Sequence, residues 1–392
     1  MTQKFSPLIA VFFSLLLLPG IIKAQDPANL LGQSNTITTA VPFVSIIANS
    51  QSRATGCVGV VASDLYSQNG LDQNPAMLSR GKKILGFQFL NYAPWLRSLF
   101  PDINLYELGY YHSIGNNNAL GFSARYFSLG TITFTDNTGN QIGTFKPKEF
   151  MFSLKYAHNF SEHFSVGTGF KYIYSDLTGG IVVENNSTKA GIAVAGDLGF
   201  DYRRNLVQSD NFNIRWNMGL AFLSIGSKIS YTETGAKDFI PQSMKLGTLF
   251  TFRWKLLDNN YVASDFSYQA DKLLVPTPPI YGDSLYNGQQ QIVYGSNPDV
   301  NSVEGAIKSF SDAPDGFSEE MHEIIHQFGT ETRFVVADQR ILAALRAGYF
   351  SEHASKGNRK FLTFGLGLGY AGFRIDFSYL VPTEQRNPLE NS

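Results

Sequence analysis

Residues 149–177 read EFMFSLKYAHNFSEHFSVGTGFKYIYSDL, two alternating segments joined by a short polar turn at Asn159–Glu162. In the first, Phe150, Phe152, Leu154 and Tyr156 fall on one face and Met151, Ser153, Lys155 and Ala157 on the other. In the second, Phe164, Val166, Phe170, Tyr172 and Tyr174 lie opposite Ser165, Gly167, Gly169 and Lys171. Side chains alternate across a strand, so each segment has one apolar face and one small or polar face. Each is about ten residues long or more, enough for a tilted strand to cross a bilayer. The apolar face therefore meets either a protein core or lipid.

Composition favours lipid. Charged residues make up 16% of the 392-residue chain, against roughly 25% in soluble proteins. Phe (32), Tyr (19) and Gly (36) are abundant, yet mean hydropathy is only −0.09. Many aromatics with middling hydropathy suit a membrane β-barrel, in which half of each strand is polar. A net charge of −1 gives no case for a nucleic-acid partner. At the N-terminus, Lys4, the apolar run Leu8–Leu18, the breakers Pro19 and Gly20, and the small Ala24 before Gln25 read as a secretory signal peptide over residues 1–24. The lone Cys57 cannot form an internal disulfide and reads as an inert packed thiol.

Residues 25–83 show no sustained alternation and read as a compact N-terminal segment preceding a barrel over residues 84–392. Strands are expected at Ile84–Tyr92, Asn104–Ser113, Ala119–Leu129, Glu149–His158, His163–Ser175, Ala190–Tyr202 and Phe212–Ser224. Further ones follow at Gln242–Trp254, Tyr261–Gln269, Gly329–Val336, Ile341–Ser351, Lys360–Tyr370 and Phe373–Val381. Short connections alternate with long ones, the longest being Ala270–Phe328, as in outer-membrane barrels with short periplasmic turns and long extracellular loops. This order puts the N-terminus in the periplasm. The count of thirteen is odd where single-chain barrels are even, so a fourteenth strand is expected beyond Ser392.

Lys155, Lys171, Asp197, Asp201, Arg215, Lys245, Arg253, Asp265, Arg346, Arg374 and Asp376 sit opposite the apolar row of their strands. Facing lipid at the midplane, an Arg or Lys would cost about 2–4 kcal/mol, so these residues line the lumen, pairing with each other or with the N-terminal segment. Trp95 and Leu96 stand at the top of the first strand, either in the interfacial aromatic belt or as a partner contact.

The sharpest chemical motif is His322-Glu-Ile-Ile-His326, an H-E-x-x-H that on a helix could bring two imidazoles to zinc. The third ligand position of the extended motif is Thr332, a poor ligand, and the stretch lies within an inter-strand loop. A plainer account makes it a short helix capped by Ser318, with Met321, Ile324, Ile325 and Phe328 as its apolar stripe. The motif is therefore read as a chance match. No metal site, cofactor or catalytic constellation is expected, and the chain is read as non-enzymatic.

Several stretches together resemble the PorV family, the outer-membrane proteins of the Bacteroidota type IX secretion system, related to FadL-type barrels. They are Asn35–Phe43 (NTITTAVPF), Ser52–Gly56 (SRATG), Asn74-Pro75-Ala76, Tyr92–Arg97 (YAPWLR), Arg125–Gly130 (RYFSLG), Arg346–Phe350 (RAGYF) and Ser355–Arg359 (SKGNR). The resemblance implies an all-β, transmembrane antiparallel barrel of about 14 strands, with Asn74–Ala76 in an N-terminal plug. It implies partnership with the type IX translocon barrel, capture of cargo C-terminal signal domains, and delivery to a surface attachment complex containing a sortase-like protease. A link to lipopolysaccharide deacylation also attaches to the family, but no residue here supports that chemistry. The alternative function is a FadL-like channel for hydrophobic small molecules. The charged lumen favours the secretion adaptor, with loops Gly130–Lys148 and Ala270–Phe328 as its protein-binding elements.

Overall fold

The structure, a computed structural model, describes residues 35–81, 85–88, 93–94, 102–135, 138–180, 182–183, 186–232, 235, 237–256, 260–286, 289–336 and 341–383. The expected signal peptide falls outside them. No helix among the described residues is long and apolar enough to cross a membrane.

Among the described residues, thirteen strands form one antiparallel sheet in sequence order. They are β1 (Leu85–Gln88), β2 (Ile103–Ile114), β3 (Asn118–Leu129), β4 (Lys148–Asn159), β5 (Phe164–Asp176), β6 (Gly191–Gln208) and β7 (Phe212–Gly226). They continue as β8 (Ser243–Lys255), β9 (Tyr261–Leu273), β10 (Ile325–Val336), β11 (Ile341–Ser351), β12 (Lys360–Tyr370) and β13 (Phe373–Pro382). Ala93–Pro94 adds a short second pairing to β2 beyond β1. No ladder joins β13 to β1 among these residues.

The 149–177 stretch answers the question its sequence poses. Phe152, Leu154, Tyr156 and Phe170 are 44%, 58%, 42% and 51% exposed, whereas Ser153, Lys155 and Lys171 are 1%, 2% and 4% exposed. A water-soluble sheet would bury the aromatic row. Here the polar row is inside, as in a barrel whose outer face meets lipid. The inversion runs around the sheet, through Leu198 on β6, Phe250 on β8, Phe334 on β10, Leu345 on β11 and Leu366 on β12. Near the short-turn end, Tyr202 meets Trp216 edge-on and Phe212 packs on Trp254. That is the composition of an interfacial belt.

Residues 35–81 lie against the inner face. Leu71 and Leu78 pack with Tyr111, Ala119 and Ala157, while Val58, Val60 and Val61 pack with Ala221, Leu223 and Leu249. Gly59 and Val60 N–H both donate to Gln269 Oε1 at 2.8 Å. The short helix α1 (Ser50–Ala54) lies against β11, β12 and β13. One short segment touches strands from β2 to β13, so the sheet curls around it.

The structure corrects two local expectations. β9 runs to Leu273 and β10 begins at Ile325, because Asp271 pairs with Ile325 across the ladder. The expected helix through Phe328 therefore stops early: it spans Phe317–His322, with Gly316, not Ser318, at its N-cap. Ile324 lies beyond it, and Ile325 and Phe328 are strand residues. The spacing of these apolar residues fits both periods, and pairing with a neighbouring strand decides between them.

Candidate functional site: the buried charge network and the inverted surface loop

Two features place charge and apolar surface where a soluble protein would not. The first is the lumen. Asn74 donates to Val60 O (2.9 Å) and Phe200 O (3.0 Å), and its Oδ1 accepts the Ala76 N–H at 3.1 Å. The wall opposite is glycine for steric reasons: a Cβ on Gly199 would stand 2.2 Å from Asn74 Oδ1, and one on Gly167 2.3 Å from Ala76 N. Asn74, Pro75 and Ala76 are thus a docking turn on β5 and β6.

Lys155, Lys171 and Asp197 meet on three neighbouring strands, at 3.1 and 3.0 Å. A register shift between Gly196 and Leu198 and the positive φ of Ser224 (59°) mark a bulge. It lets the Ser224 N–H donate to Asp197 Oδ1 at 2.8 Å. Bulges re-aim side chains in this way. Farther round, Arg346 pairs with Glu331 (2.6 Å) and Asp376 (2.7 Å), and Arg333 bridges Glu331 and Asp265. Tyr66 donates to Glu331 at 2.8 Å, and Arg374 lies over the Tyr66 ring. Arg215 and Arg253 lie on β7 and β8. They sit toward the short-turn end, Arg215 donating to Asn205 and Arg253 exposed over the Tyr261 ring.

Glu107, Arg125, Glu331 and Arg333 were not singled out from sequence, though the alternation rule that found Lys155 finds them too. Arg125 contacts Glu107 and Asp72 and donates to the carbonyls of Phe43 (3.0 Å), Val44 (3.1 Å) and Ile46 (2.8 Å). Trp95 and Leu96 lie outside the described residues.

The second feature is the connection between β9 and β10. It holds a hairpin (Ile280–Tyr286 with Gln289–Tyr294) and two short helices, α2 (Ser302–Lys308) and α3 (Phe317–His322). Asn301 caps α2 by accepting the Glu304 N–H at 2.9 Å. Both helices are inside-out. In α2 the inward position is Gly305, set against the Phe239 ring and Pro276, where a Cβ would stand 2.6 Å from Phe239. Val303 and Ile307, with Phe310 one turn on, face solvent at 60%, 69% and 47% exposure. In α3 the outward residues are Phe317 (79%) and Met321 (45%), while Glu319 and Glu320 are buried. Surface helices normally turn their apolar stripe inward.

The buried acids are held by charge. Lys272 Nζ lies 2.9 Å from Glu320 and 2.5 Å from Glu323, and Lys356 Nζ 2.5 Å from Glu319 and 3.0 Å from Glu323. The Thr277 hydroxyl donates to Glu323 at 2.6 Å. Asp312 accepts the Thr277 N–H at 3.2 Å with Oδ2, while its buried Oδ1 finds no partner among the described residues. Burial, with Glu320 and Glu323 nearby, pushes its carboxyl up to about 6. Carboxylates so buried persist only when paired and hydrogen-bonded.

His322 and His326 share neither a helix nor a partner. His326 Nδ1 lies 2.8 Å from the Tyr268 hydroxyl at the head of β10, whereas His322 stacks on His353 with ring centroids 3.6 Å apart. The H-E-x-x-H spacing spans a helix end and a strand start, which removes the shared face that zinc would need.

The profile of the family described as "Type IX secretion system protein PorV" matches residues 30–280. No curated protein sequence matches the chain. Among solved structures, the Ralstonia pickettii toluene transporter TbuX is similar at 13% identity, over 86% of this chain and 94% of that one, with a TM-score of 0.37. A Pseudomonas aeruginosa FadL homologue aligns at 10% identity over 91% and 95%, with a TM-score of 0.36. The Pseudomonas putida toluene transporter TodX aligns at 12% identity over 84% and 91%, with a TM-score of 0.36.

Proposed function

The chain belongs to the PorV family of type IX secretion system proteins, and on that premise we propose that it is a non-enzymatic cargo adaptor of the outer membrane. In this reading the barrel sits beside the type IX translocon barrel. Its surface loops receive the C-terminal signal domains of secreted cargo and pass them to an attachment complex containing a sortase-like protease. The short turns face the periplasm and the long loops the cell exterior. Residues 35–81 act as a plug.

The observation that carries the proposal is the inverted face of α2 and α3. Val303, Ile307, Phe310, Phe317 and Met321 are turned to solvent on a loop fixed from beneath by Lys272 and Lys356. Exposed apolar surface of this kind marks interaction sites. A channel for hydrophobic small molecules finds less support, because the inner face is occupied by residues 35–81 and by paired charges.

The test is a pull-down with a purified cargo C-terminal signal domain, using protein in detergent or lipid nanodiscs. Ile307→Asp combined with Phe317→Asp should reduce retention at least about tenfold, the loss of about 1.4 kcal/mol, while the barrel keeps its heat-modifiable migration. Unchanged retention with an intact barrel would sink the assignment of this face.

A further inference from the structure

The stack of His322 on His353 is used by nothing described above. The rings are nearly parallel, 2° apart, with centroids separated by 3.6 Å. His322 is the last residue of α3, and His353 begins the turn that leaves β11. His353 Nδ1 lies 2.8 Å from Ser355 Oγ and accepts the Ser355 N–H at 3.3 Å, capping the turn Ala354–Lys356. That turn carries Lys356, whose ammonium clamps Glu319 and Glu323. Thus a neutral His353 supports α3 twice, through the stack and through the lysine that its cap positions.

The surroundings oppose a charge there. Lys356 lies on the capped turn and Lys360 at the start of β12, and both act on His353 with positive charge. On α3, Glu319 and Glu323 are already engaged by Lys356, and Glu320, with Glu323, by Lys272. Glu352, beside His353, is held by Arg359 at 2.8 Å. Burial, together with His322 and the two lysines, holds His353 below the usual histidine range. A protonated Nδ1 has no lone pair with which to accept the Ser355 N–H.

We propose that the His322–His353 stack is an acid-sensitive latch that locks α3, and with it the outward apolar face, and releases it when His353 is protonated. The part concerning the apolar face rests on the binding role assigned above; the latch itself does not. Charging His353 sets a further cation beside Lys356 and Lys360, removes the cap beneath Lys356, and loosens that lysine's hold on Glu319 and Glu323. Because His353 titrates low, the lock stays closed at neutral pH and opens on acidification below the ordinary histidine pKa of about 6.5.

Hydrogen exchange of the full chain in nanodiscs, at pH 7.5 and 5.5 and corrected for intrinsic rates, tests this. Amides of residues 317–323 and 353–358 should lose about tenfold protection at the lower pH, a one-unit effect. His353→Asn keeps an acceptor for the Ser355 N–H and should flatten the response, whereas His322→Phe keeps a stacked ring and should leave it in place. An unchanged wild type would overturn the latch, as would the full response persisting in His353→Asn. Retention of the cargo signal domain at the two pH values separates the readings. If exchange responds while the cargo domain is retained at neither pH, the latch stands and the binding role of the face falls; equal retention at both pH values removes the link between them.

Discussion

Arg125 ties the N-terminal segment to the wall with one side chain, which reaches Glu107, Asp72 and three carbonyls of residues 43–46. Arg125→Met leaves Glu107 buried with no counter-charge from Arg125 and only the Gln88 amide, 3.3 Å away, to donate to it. The expected cost is about 3–5 kcal/mol, read as a lower guanidinium midpoint and as protease cleavage within residues 35–81. Adding Glu107→Gln removes the orphaned charge and should recover most of the loss. Asp312 gives a pH-dependent prediction. Its carboxyl titrates near 6 when folded and near 3.9 when unfolded. The folded Thr277–Asp312 contact therefore binds the extra proton, and the stability it contributes below about pH 4 is lost as pH rises through 6. With solvent screening allowed for, the loss is about 1–2 kcal/mol. The effect is opposite in sign to the His353 latch, so the exchange of residues 317–323 is also compared in an Asp312→Asn background. Asp312→Asn keeps an acceptor for the Thr277 N–H and should protect the loop from proteolysis at pH 7, with no further gain at pH 5.

At the scale of elements, the same inversion of exposure has two meanings. On β4, Leu154 is 58% exposed because lipid covers it; on α3, Phe317 is 79% exposed and, in the proposed role, is the surface that receives a protein. Substitution by Arg separates the two. Leu154→Arg should cost about 2–4 kcal/mol on folding into lipid vesicles. Phe317→Arg should change stability by no more than about 0.5 kcal/mol and lose cargo binding. Both are read by urea titration of folding into vesicles, followed by the pull-down. A large folding penalty at Phe317 would place α3 in lipid instead.

At the scale of the molecule, the N-terminal segment is what the sheet curls around, and the wall is shaped to receive it. Gly199→Val would drive a side chain into Asn74, whose Oδ1 lies 2.2 Å from an ideal Cβ there. The docking turn must then move. The expected result is a barrel that still assembles but conducts more in planar bilayers and exposes residues 35–81 to protease.

Much of this architecture is legible in residue order, because alternation is a local property. The row Phe150–Tyr156 and the opposing Lys155 declare both the strand and its two faces without knowledge of a neighbour. Sequence alone therefore determined a β-barrel with an aromatic outer face and a charged inner face. Tertiary structure decided which charges meet. Arg346 joins Glu331, only 15 residues away, while Tyr66 reaches Glu331 across 265. Ladder register and the path of the inner segment make both contacts, and neither is written in local spacing. It also decided that His322 and His326 part company, since pairing with β9 converts the second half of an apparent helix into β10. The outward turn of Ile307 and Phe317 follows from the same cause. What a helix buries is set by what lies beneath it, and here Phe239, Lys272 and Lys356 select glycine and glutamates for the inner side and leave the apolar side chains outside.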